Sequence, residues 1–128
     1  MKRVILLMLV LVGIVATMPT SAHHSFAATY FEDKMQTVEG DLVQFLMRNP
    51  HSFVHVEGKD PSGATVRWAV EWAGGLQLGR QGVNRDTLKA GDHFVISGNP
   101  GRNPDDHRLR MRSITRPSDG WSWKGNFE

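Results

Sequence analysis

The sequence contains no cysteine. The protein therefore forms no disulfide, and neither thiolate catalysis nor a thiolate metal site is open to it. It also lacks a G-x-S-x-G motif and an H-E-x-x-H motif, which mark two large classes of hydrolase. These absences favour a binding protein over an enzyme, and we expect no catalytic residue. Stability must come from packing and from hydrogen bonds within sheets.

The longest hydrophobic run lies at the start of the sequence. Lys2 and Arg3 precede an almost wholly apolar stretch over residues 4–18, and a proline and small residues follow it up to Ala22. The apolar stretch is shorter than the roughly 20 residues that span a bilayer, and the small residues stand where signal peptidase cleaves. We therefore predict a signal peptide over residues 1–22, cleaved after Ala22, and export from the cytoplasm. The alternative is an uncleaved anchor, so the membrane is expected as a partner only through the uncleaved signal peptide.

The charge of the mature domain is close to zero. Removal of residues 1–22 leaves 106 of the 128 residues and takes away Lys2 and Arg3, so that the 15 Lys and Arg residues fall to 13, equal to the 13 Asp and Glu. A neutral domain lacks the electrostatic footprint that binding to a phosphate backbone requires. We expect no nucleic acid as a partner. A local basic run near the C-terminus favours a solvated strand face, with an anion or partner site as the alternative; it comprises Arg108, Arg110, Arg112 and Arg116.

The alternation of apolar and polar residues predicts an all-β domain. Three strand patterns come first, then a short helical or irregular crossover, then two more strands; the strands cover residues 36–46, 51–59, 64–72, 93–98 and 108–115. This is the strand order of the OB-type barrel. We predict a small five-stranded OB-like barrel over residues 23–115 and a flexible C-terminal tail over residues 116–128. An open five-stranded sheet or a small sandwich is the alternative.

Histidines are the residues most suited to bind a metal ion. All six follow the predicted cleavage site. Cleavage after Ala22 would give His23 a free α-amine beside its imidazole, and one further imidazole would complete a three-nitrogen set of the kind that suits Cu(II). We predict a copper site formed by His23, His24 and His51. His55 lies four residues from His51, about 13 Å along a strand, so one ion cannot take both. The alternatives are a frayed terminus and a turn histidine bonded to backbone.

A second hypothesis is a metal-free interaction module. OB-type barrels commonly bind on the face of strands two and three. If the Asp-Pro-Ser-Gly turn between these strands sets the register, His55 lies opposite Trp68 and His51 opposite Trp72. Glu71 lies on the other side from the tryptophans, where a salt bridge or partial exposure is the favoured interpretation. The predicted surface for an unknown envelope protein or a small ligand comprises Phe53, His55, Trp68 and Trp72.

Four short motifs occur in order along the chain: His-His-Ser-Phe at 23–26, Asn-Pro-His at 49–51, Trp-Ala-Val-Glu at 68–71 and Leu-Lys-Ala-Gly-Asp at 88–92. Together they resemble the recurring motifs of a family of small exported bacterial proteins of unknown function. The resemblance implies a Gram-negative cell envelope and a compact β-barrel, and it assigns no activity. The Trp-Ser-Trp segment at 121–123 does not match the family pattern.

Overall fold

The computed structural model describes residues 24–127, and only the backbone of residues 24 and 25. The predicted signal peptide and His23 lie outside the described residues. In chain order the elements are α1 (His24–Thr29), β1 (Gln36–Leu46), β2 (Ser52–Lys59), β3 (Thr65–Trp72), α2 (Gly75–Arg80), β4 (His93–Pro100), a 3₁₀ helix (Pro104–Asp106), β5 (Arg108–Arg116) and β6 (Trp121–Lys124). Within residues 24–127, no helix is long and apolar enough to cross a bilayer.

The first five strands form a closed barrel. The hydrogen-bonded order is β3-β2-β1-β4-β5-β6, and β3 also pairs in parallel with β5. This last pairing joins the two ends of the five-stranded row β3 to β5, so the sheet closes on itself. The predicted OB-like barrel is confirmed, with α2 in the predicted crossover between β3 and β4. Closure leaves these five strands without the exposed edge that an open sheet presents to other chains.

Alternating residues of the strands fill the interior of the barrel. On β2, Val54 and Val56 are fully buried, while the intervening residues are only partly buried or exposed. This follows from the two-residue period of a strand. Neighbouring strands contribute aromatic and branched side chains to the same core, namely Trp68, Val70, Trp72, Phe94, Ile96, Leu109, Met111 and Ile114.

The register of the β2–β3 hairpin differs by one residue from the predicted one. Phe53 pairs with Glu71 and His55 with Ala69, so the predicted pairing of His55 with Trp68 is wrong. Trp72 pairs with Ser52 instead of His51. Side chains along a strand alternate between the two faces of the sheet. A shift of one residue in the pairing register therefore places each residue of β2 opposite a neighbouring residue of β3 whose predicted side chain belonged to the other face.

The loop of this hairpin explains the difference. The amide of Asp60 donates to the carbonyl of Ala64 at 2.9 Å, so these two residues pair and leave a three-residue loop over 61–63. Gly63 ends the loop with φ at 86°, which is the left-handed conformation that such loops need and glycine adopts readily. The sequence prediction had taken all four residues of 60–63 as the turn.

The C-terminal segment also differs from its prediction as a flexible tail over residues 116–128. Residues Trp121–Lys124 form β6, which pairs antiparallel with β5. The ring of Trp123 lies 5.2 Å from that of Trp72, and its Nε1 donates to Gln81 Oε1 at 2.8 Å. Phe127 is buried. The aromatic side chains cover apolar surface, and this burial offsets the entropy lost when the segment becomes ordered.

Candidate functional site

A buried carboxylate lies between the N-terminal helix and the barrel. Glu71 on β3 is only 8 % exposed. Its Oε2 accepts a hydrogen bond from Tyr30 Oη at 2.5 Å and a longer one from Arg108 Nη2 at 3.4 Å. Its Oε1 lies 2.8 Å from Nδ1 of His51. Burial of a charge is costly unless it is paired and hydrogen-bonded, and here three side chains from separate parts of the chain do this. We call Tyr30, His51, Glu71 and Arg108 the Glu71 cluster.

Tyr30 serves the cluster as a hydrogen-bond donor. The residue follows α1 and is 1 % exposed. Burial raises the pKa of Tyr30 well above its usual value, and the adjacent Glu71 carboxylate raises it further. The phenol therefore stays protonated and donates to the carboxylate throughout the physiological pH range.

His51 lies at the entrance to β2, directly before Ser52. Its side chain is 22 % exposed, and its ring lies 5.1 Å from that of Phe26 and 5.6 Å from that of Phe127. The carboxylate of Glu71 contacts Nδ1 of the His51 ring. No described residue forms a hydrogen bond with Nε2 of the same ring, so this nitrogen can accept another partner. A carboxylate on one ring nitrogen is the usual arrangement behind a histidine that binds metal through the other.

Helix α1 brings the N-terminal arm to His51. The helix begins at His24, and Phe26, two residues later, packs against the His51 ring. The backbone rises 1.5 Å per residue in a helix, so the start of α1 lies within one turn of that contact. The guanidinium carbon of Arg110 lies 3.8 Å from the centre of the Phe26 ring and holds this corner together.

Only one residue of the predicted copper site, His51, has a described side chain. Its ring packs against Phe26 of the N-terminal helix. The imidazoles of His23 and His24 lie outside the described side chains. Among the side chains that are described, no group of three metal-ligating residues occurs.

The four residues predicted as one partner surface are divided between two sides of the sheet. Trp68 and Trp72 are 3 % and 0 % exposed and belong to the core, so the prediction that they line an accessible face is wrong. Phe53 and His55 lie on the outer side, half-buried, with their rings stacked at 6.3 Å. Partial burial, together with the nearby Arg67, lowers the pKa of His55.

Sequence reasoning named one member of the Glu71 cluster as a site residue. It placed Glu71 correctly on the side opposite the tryptophans, and a salt bridge is what the structure shows. It gave no role to Tyr30, and it assigned Arg108 to a basic run on a solvated strand face, with an anion or partner site as the alternative. The sequence did carry one signal, because a glutamate within an otherwise apolar strand needs buried partners.

Fold and site together define a small OB-like barrel whose N-terminal helix covers a buried carboxylate cluster. The chain belongs to a family described as "Family of unknown function (DUF6152)", whose model matches residues 11–110. This confirms the resemblance to a family of unknown function, and the match includes all four residues of the Glu71 cluster. Strand β6 lies beyond the matched residues. No curated protein and no solved structure matches the chain.

Proposed function

We propose that the protein is an exported periplasmic binding module, without catalytic activity, that holds a copper ion through His23, His24 and His51. The observation that carries this proposal is the 2.8 Å contact between His51 Nδ1 and Glu71 Oε1. It fixes the ring and directs metal binding to Nε2, at the point where the N-terminal arm meets the barrel.

The chemistry of the donors supports Cu(II). Cleavage after Ala22 would place an α-amine and an imidazole on His23, one residue before α1 begins. Nitrogen ligands in a roughly planar set suit Cu(II), and imidazole from His51 or His24 would complete the set. Copper would be stored, delivered or sensed; no residue of the cluster is needed to transform a substrate.

The Glu71 cluster would act as support for the ligand. A carboxylate that accepts the Nδ1 proton of a histidine fixes the tautomer and makes Nε2 a better electron donor. Tyr30 and Arg108 occupy Oε2 of the same carboxylate, so Glu71 cannot turn away from His51 without breaking two hydrogen bonds. A preorganised histidine loses less entropy when it binds the ion.

The test uses untagged protein purified after export. Intact mass should show a chain that begins at His23, and Cu(II) titration followed by electron paramagnetic resonance should show one ion with nitrogen hyperfine structure. His51→Gln removes a ligand and should lower the Cu(II) affinity by at least the factor of about 10 to 100 that loss of a ligand's supporting partner causes. His55→Gln is the matched control, since it removes an imidazole only four residues away, on β2, and should leave the affinity unchanged.

Two outcomes would contradict the copper proposal. An alanine inserted before His23 displaces the α-amine from the imidazole, so unchanged Cu(II) affinity of that variant would exclude the chelate. An equal loss of affinity in His51→Gln and His55→Gln would show that copper binds without regard to the cluster.

A further inference from the structure

A cavity opens on the barrel beside the junction of β3 and β5. Its volume is about 400 Å³, within the range of small-molecule sites. The segment between α1 and β1 forms one wall, the β2–β3 loop and Trp68 another, and the loop after β4 with Arg108 the remainder. The cavity thus lies where the barrel closes, a site made by elements that are distant in sequence.

The cavity carries positive charge and no negative charge. Its lining includes Lys34, Arg102 and Arg108 and contains neither Asp nor Glu. Arg108 is paired with Glu71, whereas Lys34 and Arg102 form no ion pair among the described residues. Both lie over the same ring, with Lys34 Nζ 3.9 Å and Arg102 Cζ 4.8 Å from the centre of Phe31. Two uncompensated cations at one mouth favour an anionic ligand.

Two hydrogen-bond donors in the cavity wall lack an acceptor. Trp68 Nε1 and Arg108 Nε are buried, and neither has a partner among the described residues. A buried N–H without an acceptor is destabilising, and native proteins leave few of them. Both residues line the cavity. Both nitrogens are closed off from solvent, and Trp72 Nε1, outside the lining, is equally unpartnered, so the case for a ligand rests on the charge and shape of the cavity.

Apart from the polar residues Gln36 and Asn103, the rest of the wall is apolar. The rings of Phe31 and Trp68 and three prolines line it, namely Pro61, Pro100 and Pro104. Flat, inflexible walls suit a planar apolar ligand, because such a ligand loses little conformational freedom on binding. We infer that this cavity binds a small aromatic carboxylate, with its ring against Phe31 and the prolines and its carboxylate near Lys34 and Arg102.

The test is calorimetric titration of the purified protein with naphthoate. Naphthylmethanol serves as the neutral analogue of the same ring system, and inorganic phosphate as an anion without a ring. Naphthoate should bind, naphthylmethanol should bind at least about tenfold more weakly, and phosphate should not displace naphthoate. No binding of naphthoate at millimolar concentration, equal binding of the two aromatic compounds, or displacement by phosphate would each overturn the inference.

Substitutions locate the binding in this cavity. Lys34 is exposed, so Lys34→Gln should fold normally and weaken naphthoate binding about fivefold. Arg85→Gln removes a cation from an exposed turn outside the lining and should change nothing. Equal affinity in Lys34→Gln and Arg85→Gln would place the binding elsewhere. If the copper proposal fails, the naphthoate results still stand, because His51 does not line the cavity.

Discussion

Tyr30→Phe is the substitution that isolates one hydrogen bond of the Glu71 cluster. It keeps the ring that packs in the core and removes only the hydroxyl that donates to Glu71 Oε2 at 2.5 Å. Both residues are buried, so water cannot replace the lost donor. Hydrogen bonds to charged groups contribute about 1.5–3 kcal/mol. The free energy of unfolding should therefore fall by about 2 kcal/mol, which corresponds to a loss of about 10 °C in melting temperature for a domain of this size.

Urea denaturation followed by tryptophan fluorescence measures this loss at equilibrium. Thr37→Val is the matched control, because it removes a hydroxyl whose 2.7 Å hydrogen bond to Ser97 is exposed to solvent. The control should cost less than about 0.5 kcal/mol. A Tyr30→Phe variant as stable as Thr37→Val would refute the view that the carboxylate depends on the phenol. A double-mutant cycle with Glu71→Gln should show that the two substitutions are not additive.

Three further predictions concern pH, a close backbone contact and β6. The ring of His93 donates hydrogen bonds to the carboxylates of Glu39 and Asp41, and these bonds raise the pKa of His93. Their contribution to stability is therefore complete below about pH 6.5 and is lost as the pH rises through the raised pKa. Because the ring is half-exposed, this contribution is below about 1 kcal/mol. His93→Gln should flatten the decline of the urea midpoint above pH 6.5, and an unchanged profile would argue against the ion pairs. Gly40→Ala drives a methyl group into the backbone carbonyl of Glu57 and should lower the free energy of unfolding by more than about 2 kcal/mol. In Gly79→Ala the new methyl group meets nothing within 4 Å, so this variant should raise the free energy of unfolding by about 0.5–1 kcal/mol. Equal midpoints for the two glycine variants would show that β1 and β2 can separate freely. Trp123→Ala uncovers Trp72 and should lower the free energy of unfolding by about 1–2 kcal/mol. Thermal unfolding measures this loss, with Lys124→Ala as the neutral control. A Trp123→Ala variant as stable as that control would mean that β6 contributes nothing to the stability of the domain.

Strand positions were predictable because they depend on local patterning. The run of alternating residues in β2 and β3 identified both strands, and the order of strands and crossover indicated the barrel. The hairpin register was not predictable in the same way. The register depends on whether Asp60 pairs with Ala64. If these residues pair, the loop has three residues, and if they do not, the turn has four; the sequence preferences of the two are similar.

Long-range partners account for what the sequence did not reveal about the site. His51 was identified from its Asn-Pro-His turn, and Glu71 from its position in an apolar strand. Tyr30 was not, because it meets Glu71 across 41 positions of sequence, and no local period encodes that distance. The same holds for β6, whose tryptophans contact Trp72 and Phe94, residues far from β6 in the sequence.

The parallel pairing of β3 with β5 has a consequence for how the chain folds. Ala69 pairs with Arg108 and Glu71 with Arg110, so the barrel cannot seal until β5 has been synthesised and has crossed to the far side of the sheet. Such non-local pairing places a domain among the slower two-state folders, on the millisecond-to-second scale. A ribosome-bound chain that ends after β4 would expose the edges of β3 and β4 together, and these edges are the surfaces through which unfinished chains would aggregate.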